Sequence, residues 1–415
     1  MSLLPHDTSA LPDSDPTEPG QQLIGLARLM TLAFHGADLR PVASTLIARA
    51  ERDATDAAAL MDLSTVLFLQ GLPDLALATQ SQALGMERLY RLQLPDCALP
   101  RLRMLAVMAP GDLMTNTPLS FLVEDGRIAL DMLFVLPGEG LPELLPEHDV
   151  LYMAISESDA THGLLERLSY ELPAGAVLNH PSRILETARD RAYDALRGAP
   201  GIAMPASARS GRLSLQAVGD GRLAIAEMLE HGRFPLIVRP VDSHAGHGLE
   251  KVTTPAELVA YLAGQGADEY FVSNFIDYAQ ADGLFRKYRV VLVDGMAYAA
   301  HMGVSSHWMI HYLNAGMTEC ADKRAEEAAF MRDFDTGFGL RHREALSALA
   351  GRIGLDYLVV DCGETPEGDL LVFEVDPGAV VHRMDPPEVF SYKRACMDKL
   401  YAAFDTLVMR AGRPA

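Results

Sequence analysis

The sequence predicts an α+β protein in which an all-α helical region precedes several parts that contain β-sheet. Its 415 residues exceed what one hydrophobic core usually serves. Apolar residues recur at helical spacing from Gln22 to Gln93, whereas the later apolar runs have the length of β-strands. Apolar residues make up 49% of the chain and charged residues 22%, so we expect packed domains rather than general disorder.

Composition and charge exclude several classes of function. A formal net charge of −21 opposes binding to the phosphate backbone of a nucleic acid. Charges, glycines and prolines interrupt every apolar run before about 18 residues, so no membrane span is predicted. The cysteines, at Cys97, Cys320, Cys362 and Cys396, are far apart and lack a CxxC pair. We therefore expect free thiols in a reducing cytoplasm, and neither a zinc site nor a disulfide framework.

The N-terminal part is predicted to be a tail followed by helical hairpins. Residues 1–20 are acidic, rich in Pro and Ser and without a basic start, which indicates a disordered tail and not a secretory signal. In the predicted helical domain at 21–95, the segment 59–93 with Gly71 at its turn resembles one tetratricopeptide-type repeat, and 23–52 a degenerate predecessor. So short an array cannot bury a core alone, which favours packing on the rest of the chain, on a second copy or on a protein partner. A plain helical domain without a binding role is the alternative.

After Asp96 the pattern predicts sheets. Residues 100–180 are expected to form a small α/β domain with a largely parallel sheet, and 181–410 at least two further α+β portions. A helix is predicted from Ile184 to Arg197, and the proline at Pro205 marks a return to extended chain. The strand candidates are 103–108, 129–135, 150–155, 235–239, 270–275, 288–293, 296–301, 357–361 and 370–375.

The first stretch with chemical content is Phe234–Leu249. A buried strand delivers one cation, Arg239, and a polar loop containing Ser243, Gly246 and Gly248 follows at once. A fixed positive charge beside backbone N–H groups that glycine leaves accessible is what a phosphate-binding loop requires. A plain mobile turn is the alternative interpretation of the same residues.

The second stretch is an apolar hairpin that carries acids. Asp361 ends its first strand, while Glu374 and Asp376 lie two apart and therefore share a face of the second strand. Three converging buried carboxylates repel one another unless a divalent cation neutralises them, and hard oxygen ligands suit magnesium. The alternative is a hairpin whose acids lie on a solvated face, which the apolar strands disfavour.

Taken together, these motifs resemble the ATP-grasp superfamily in order and spacing, with the greatest likeness to the branch of glutathione synthetase and the ribosomal-protein glutamate ligases. The resemblance covers about 103–407. It implies an ATP-grasp fold, with a pre-grasp domain at 100–180, the grasp domain at 181–410 and a lid subdomain at about 205–278. The motifs that carry it are Asn179–Pro181, Asp190–Arg191, Pro205, Pro235–Pro240, Ser243–Gly248, Tyr288–Arg289, Asp361 and Phe373–Asp376.

The resemblance implies that ATP binds in the second half of the chain. Arg191 and Arg239 stand where the family usually has two lysines that contact the phosphates, and arginine keeps the charge with a different donor geometry. The adenine would lie against Phe271–Ile276, and Asp277 or Asp282 would hold the ribose. The predicted ATP contacts are Arg191, Arg239, Ser243, Gly246, Gly248, Asn274 and Asp277.

The resemblance also assigns the reacting end of the site. Arg289 matches an arginine directed at the transferred phosphate and the acyl oxyanion, although a strand-surface role is the alternative. Asp361 and Glu374 match Mg²⁺ ligands, and Asp376 stands where the family usually has asparagine. His382 and Arg383 are predicted to contact the substrate carboxylate.

Six histidines, His244, His247, His301, His307, His311 and His382, lie in the same half without the spacing of a zinc motif, so packing and hydrogen bonding are the expected roles.

The implied function is an ATP-dependent carboxylate–amine ligase that forms an amide through an acyl phosphate, acting on an amino acid or small peptide in the cytoplasm. The loop from Asp242 to Leu249 would close over the site and exclude water. Two alternatives stay open: a nucleotide-binding scaffold whose helical repeat binds a partner, and a small-molecule kinase of the same fold.

Overall fold

The computed structural model describes residues 22–95, 98–173, 175–241, 243 and 246–413, so the predicted tail at 1–20 lies outside the described residues. Within those ranges the chain forms three β-sheets with helices around them, which confirms the predicted α+β class. Among the helices of these ranges, none has the length and apolar character needed to cross a bilayer.

The elements are numbered along the chain. The strands are β1 (Gln22–Leu23), β2 (Leu89–Leu92), β3 (Leu102–Met108), β4 (Ile128–Phe134), β5 (Val150–Met153), β6 (Ile202–Ala203), β7 (Ser207–Gly211), β8 (Leu236–Pro240), β9 (Glu250–Val252), β10 (Glu269–Asn274), β11 (Phe285–Val293), β12 (Met296–Ser305), β13 (Tyr357–Glu364) and β14 (Leu370–Asp376). The α-helices are α1 (Leu26–Phe34), α2 (Arg40–Arg52), α3 (Ala57–Leu69), α4 (Pro73–Met86), α5 (Leu119–Leu122), α6 (Asp159–Glu171), α7 (Pro181–Ile184), α8 (Arg189–Leu196), α9 (Arg212–Gly219), α10 (Pro255–Ala263), α11 (Ala321–Arg332), α12 (Phe338–Arg341), α13 (Arg343–Ile353) and α14 (Lys393–Ala411). Short 3₁₀ turns occur at Leu185–Thr187, Ile225–Glu227 and Tyr312–Asn314.

The first sheet has the strand order β1-β2-β4-β3-β5. Strands β3, β4 and β5 are parallel, as are β1 and β2, and only the β2–β4 pair is antiparallel. Their side chains are nearly all buried, which is expected of parallel strands covered on both faces. The prediction of a largely parallel sheet in this part of the chain is therefore confirmed.

The N-terminal helices α1 to α4 do not stand apart from that sheet. Strand β1 precedes α1 and strand β2 follows α4, and both belong to the first sheet. Asp62 of α3 is buried and accepts hydrogen bonds from the backbone N–H groups of Ile24 (2.8 Å) and Gly25 (3.1 Å), just before α1. Helices α3 and α4 form a hairpin turned at Gly71, whose φ of 75° favours glycine. Its assignment to the tetratricopeptide type stays a prediction.

The second sheet is smaller and antiparallel, with the order β7-β10-β8-β9. Helices α9 and α10 pack against it around a core of its own that includes Leu215, Leu258 and Val238. These elements span 207–274, within the range predicted for a lid subdomain, and the division of the chain into domains stays a prediction.

The third sheet has the order β12-β11-β13-β14-β6. It shares one hydrophobic core with the first sheet, and α14 packs between the two, because the ring of Phe404 lies 6.2 Å from that of Tyr152 and 5.5 Å from that of Tyr357. Each strand candidate from the sequence overlaps an observed strand. The predicted helix at 184–197 is interrupted, because Ala188 has an extended backbone (φ −52°, ψ 139°) between a 3₁₀ turn and α8.

Candidate functional site

A cavity of about 850 Å³ lies between the second and third sheets. Strand β8 contributes Ile237 and Arg239 from one side, and β11 and β14 contribute Lys287 and Glu374 from the other. Helix α1 and the segment 308–314 line its remaining sides. The cavity is thus assembled from parts of the chain that are far apart in sequence.

One region of the cavity is an apolar slot between the two sheets. Ile237 and Phe271 line it from the second sheet, Leu371 from the third, and Met204 from the segment between them. Phe275, which follows β10, also lines the cavity, and the ammonium of Lys251 lies 4.3 Å from the centre of its ring. Such a slot suits a flat apolar ring system.

The backbone hinge at the end of β10 borders this slot. Asn274 lines the cavity, but its side chain is engaged elsewhere: Oδ1 accepts from the backbone N–H of Arg233 (3.1 Å) and Nδ2 donates to the carbonyl of Glu230 (3.2 Å). Asp277, predicted to hold a ribose, is exposed, does not line the cavity, and accepts from the backbone N–H of Ala279 (3.1 Å). Its carboxylate closes a local turn instead.

Beyond the slot, Asp361 lies between two cations. Arg289 and Asp361 are directly opposite across β11 and β13, and the guanidinium donates to both carboxylate oxygens at 2.8 and 3.0 Å. The Lys287 ammonium lies 2.7 Å from Oδ2 of the same carboxylate. Burial alone would raise the pKa of Asp361, but the charges of Arg289 and Lys287 outweigh it and hold this pKa far below its usual range.

Glu374 faces a second pair of cations, Arg189 and Arg239. It lies opposite Asp361 across β13 and β14, and Arg189 at the start of α8 donates to its Oε1 at 2.6 Å. Burial acts to raise the pKa of Glu374, but the positive charges of Arg189 and Arg239 outweigh burial and lower it. Glu374 is therefore an anion at neutral pH.

Arg239 is the cation of the cavity with the least compensation. Among the described residues it forms no ion pair, and its Nε donates to the hydroxyl of Ser243 at 3.2 Å. Burial, and then the neighbouring positive charge of Arg189, lower the pKa of Arg239 to about 10. The guanidinium still carries its charge at neutral pH and would be stabilised by an added anion.

Asp376, in contrast to Arg239, lacks sufficient positive charge around its carboxylate. Burial and the negative charge of Glu374 raise the pKa of Asp376 to about 7, although the backbone N–H of Gly378 donates to Oδ1 at 2.7 Å and favours the charged form. A positive charge placed beside Glu374 and Asp376 would relieve this repulsion.

The glycine loop lies beside Arg239, and its residues Asp242, His244 and Ala245 are outside the described part of the chain. Gly246 lines the cavity with a φ of 77°. Gly248 does not line it; a Cβ there would lie 2.8 Å from the ring of Pro240, so this glycine permits close packing of the loop on β8. The predicted contact of Gly248 with ATP stays a prediction.

The carboxylates fit a divalent cation only in part. Within the described ranges, no group of three or more His, Cys, Asp or Glu side chains is arranged to hold a metal ion. Asp361 was predicted to be a metal ligand, but both of its carboxylate oxygens are bound by Arg289 and Lys287. Glu374 and Asp376 each keep one oxygen without a protein donor in the described part of the chain. These two could hold Mg²⁺, which commonly takes one or two carboxylates and completes its shell with phosphate and water.

Three histidines, His301, His311 and His382, line the cavity, and burial lowers the pKa of each. His301 packs on Tyr312 with ring centres 4.4 Å apart, and burial lowers its pKa well below the usual value. His382 lies 5.5 Å from the ring of Phe34, and burial lowers its pKa to about 4. His382 was predicted to contact a substrate carboxylate and does line the cavity, but it offers no positive charge at neutral pH.

Arg191 and Arg383 do not line the cavity. Residues two apart on a helix face different directions, so α8 presents Arg189 to the cavity and leaves Arg191 exposed, 3.9 Å from Glu186. Arg383 forms ion pairs with Asp398 (2.8 Å) and Glu124 (3.5 Å), away from the site.

Sequence reasoning missed three contributors. Lys287 precedes Arg289 by two positions on one strand, and strand periodicity could have identified it. No sequence pattern identified Arg189 as a site residue, apart from its position two residues before Arg191. The approach of α1 to the cavity depends on chain folding alone, because the nearest cavity residue in sequence after Phe34 is Met114.

Neither the protein-family models nor the curated proteins with which the sequence was compared match it. Among solved structures, the chain is similar to a D-Ala:D-Ser ligase, VanG, from Enterococcus faecalis (15% identity, 72% of this chain and 99% of that chain, TM-score 0.41). It is similar to a RimK domain ATP-grasp protein from Sphaerobacter thermophilus (15% identity, 74% and 99%, TM-score 0.42). It is also similar to a D-alanine–D-alanine ligase from Coxiella burnetii (13% identity, 75% and 96%, TM-score 0.44). Because these TM-scores are low, the function proposed below rests on the residues of the cavity and not on these similarities.

Proposed function

We propose that this protein is an ATP-dependent carboxylate–amine ligase of the ATP-grasp type. The observation that carries the proposal is the half-buried guanidinium of Arg239, which forms no ion pair within the described residues, lies at the end of an apolar slot and is close to Glu374. Glu374 in turn neighbours the carboxylate of Asp376. An anion bound to Arg239 together with a cation bound to the carboxylates would neutralise both deficits at once. A nucleoside triphosphate with bound Mg²⁺ supplies both charges, because its phosphates are the anion and the metal ion is the cation.

The slot and the charged groups have the order that a nucleotide requires. The adenine would occupy the slot between Ile237 and Leu371, and the phosphates would extend toward Arg239 and Arg189. The backbone N–H groups of the loop at Gly246 would face the phosphates, in the way that glycine-rich loops bind anions. In this arrangement Asp277 does not contact the ribose, because it does not line the cavity.

Glu374 and Asp376 would hold magnesium, which neutralises phosphate charge during phosphoryl transfer. Asp376 must be deprotonated to do so, and the nearby positive charges of Arg289 and the metal ion favour that form. Asp361 serves differently in this proposal: its charge fixes the positions of Lys287 and Arg289.

In the proposed reaction an oxygen of the substrate carboxylate attacks the γ-phosphorus, and the bond from that phosphorus to ADP breaks. The amine nitrogen then attacks the acyl carbon of the acyl phosphate, inorganic phosphate leaves, and the amine proton passes to solvent. Lys287 and Arg289 keep N–H donors beyond those given to Asp361 and would stabilise the charge on the transferring groups. A closed cavity protects the acyl phosphate from water.

The test is ADP release with pairs of amino acids or small peptides as acyl donor and amine. We expect turnover that requires both substrates and magnesium, and loss of turnover in Glu374→Gln but not in the matched control Glu367→Gln, whose side chain is exposed at the turn of the β13–β14 hairpin.

Two outcomes would replace the proposal. Tight ATP binding without turnover for any pair would favour a nucleotide-binding scaffold that acts through its helical region. A stable phosphorylated product formed without an amine would favour a kinase. Cytoplasmic location and self-association through the helical region stay predictions.

A further inference from the structure

Helix α1 is fixed against the cavity at both of its ends. The backbone N–H of Ala27 donates to the hydroxyl of Ser120 at 3.1 Å, and the ring Nε2 of His35 donates to the carbonyl of Met384 at 2.8 Å. Just before the helix, Gly25 is bound by the carboxylate of Asp62. These contacts join α1 to α5 and α3 on one side and to the loop after β14 on the other.

The face of α1 that points into the cavity is apolar. Met30, Ala33 and Phe34 line the cavity, and Met114 and Met384 lie beside them from other parts of the chain. The helix shares a hydrophobic cluster with the fully buried ring of Phe121 and with Met384. The flexible thioether side chains of methionine adapt to apolar groups of different shapes.

Among the described residues, the charged side chains that line the cavity come from elements other than α1 and the loop at Val380–Met384. Within that loop, Arg383 turns outward to Asp398. Asp385, which follows the loop, forms an ion pair with Lys393 at 3.0 Å. His382 is neutral, because burial lowers its pKa to about 4. The cations that do line the cavity lie toward β8, β11 and α8, where carboxylates accompany them. A charged group bound against α1 would therefore lose its hydration without gaining a partner.

We propose that α1 forms the side-chain pocket of the substrate, and that this substrate carries a large apolar side chain of the size of leucine, methionine or phenylalanine. Its reacting carboxylate or amine would lie toward Arg289 and Asp376, and its side chain would lie against Met30, Ala33 and Phe34. The inference rests on the proposed function for the reaction, but the binding preference can be measured without turnover. An N-terminal helix that sequence analysis places in a separate domain then determines specificity.

The experiment is calorimetric titration of the full chain with leucine, phenylalanine, methionine, alanine, aspartate and lysine, each with and without a non-hydrolysable ATP analogue and magnesium. We expect the three large apolar amino acids to bind about tenfold more tightly than the other three, because a hydrophobic pocket discriminates by about this factor. Ala33→Leu fills the pocket and should weaken leucine binding about tenfold, while the affinity for the ATP analogue changes less than about twofold.

The matched control is Ala48→Leu, which makes the same change at an exposed position of α2 and should leave leucine binding unaltered. Phe34→Ala provides a second variant that removes the wall instead of filling the pocket, and it should also weaken leucine binding. Circular dichroism would establish that each variant is folded.

Equal or tighter binding of aspartate or lysine, an unchanged affinity in both α1 variants, or the absence of binding by all apolar amino acids would overturn the inference. Failure of the ATP analogue to bind would instead count against the proposed function, and the amino-acid titrations without nucleotide would still decide the inference.

Discussion

The two ends of the cavity use opposite physical means. At the end formed by β8, β11, β13 and β14, charged side chains are packed so closely that most carry an ion pair, as Asp361 does with Lys287 and Arg289. At the end formed by α1, the lining is apolar and its histidine is neutral. Electrostatic interactions are strong where water is excluded, so in the proposed function the charged end would hold phosphate, while the apolar end would select a side chain by shape and hydrophobicity.

The difference also shows why charge can be buried at one end only. A buried charge destabilises a protein unless an opposite charge compensates it. Removing one partner of a buried ion pair typically costs roughly 3 to 5 kcal/mol of stability. The β-strands supply a partner in register, Arg289 opposite Asp361, and α8 supplies Arg189 for Glu374. Helix α1 supplies none.

The largest expected effect comes from removing the charge at the centre of the charged end. Asp361→Asn leaves Lys287 and Arg289 without their carboxylate and should lower the free energy of unfolding by about 3 to 5 kcal/mol. Urea denaturation measures this. The control Asp294→Asn removes an exposed partner of Arg410 and should cost less than about 1 kcal/mol. Equal effects in the two variants would show that the buried ion pairs do not stabilise the site.

Next in size is the effect of Glu374→Gln on catalysis. The variant keeps the shape of the side chain but loses the charge that faces Arg189 and would hold magnesium. We expect kcat for ADP release to fall by roughly a hundredfold to a thousandfold, the usual consequence of losing one preorganised electrostatic contact. A loss below about threefold would remove Glu374 from the proposed machinery.

A smaller effect is expected at Arg239. Arg239→Ala should weaken ATP binding by roughly tenfold to a hundredfold, because a hydrogen bond to a charged group contributes about 1.5 to 3 kcal/mol. Arg239→Lys should recover part of that affinity. Arg233→Ala, at an exposed position before the same strand, is the control for which the affinity should stay constant. Direct titration with ATP and magnesium gives the answer, and unaltered affinity in Arg239→Ala would place the phosphates elsewhere.

The smallest effect concerns the attachment of the apolar end. Burial raises the pKa of Asp62, which holds Ile24 and Gly25 before α1, to about 7, whereas an unfolded aspartate has a pKa of about 3.9. Between these values the folded chain keeps a proton that the unfolded chain has lost, so the free energy of unfolding should decrease as pH rises from about 4 to about 7. The slope stays below about 1.4 kcal/mol per pH unit, because the folded and unfolded states differ by at most one proton at this group.

Urea denaturation of the wild type and of Asp62→Asn at several pH values isolates this contribution, since the variant lacks the titrating group. Relative to the variant, the wild type should lose stability toward pH 7. The exposed Asp74→Asn serves as the control and should leave the pH dependence as in the wild type. A wild type that gains stability relative to Asp62→Asn over this range would contradict the prediction.

Much of the charged end could be predicted from the sequence. Strand periodicity placed Glu374 and Asp376 on one face, and the strand before the glycine loop identified Arg239. The same reasoning failed for Arg191, because a helix turns about 100° per residue and a difference of two positions moves a side chain off the cavity. It also failed for the partners of Asp361, since cross-strand register depends on sheet pairing and bulges that the sequence does not state.

The sequence by itself determined the α+β class, the places of the strands and the local chemistry of the loop and the acidic hairpin, because these depend on periodicity and on residues that are neighbours along the chain. Only the tertiary structure decided that Asp361 pairs with Lys287 and Arg289, that Arg189 faces Glu374, and that α1 lines the cavity. Such contacts join segments far apart in sequence. Asp361 meets Lys287 and Arg289 because β11 and β13 pair in the third sheet. Helix α1 reaches the cavity because the first and third sheets pack around a shared core, and local patterns contain no record of that geometry.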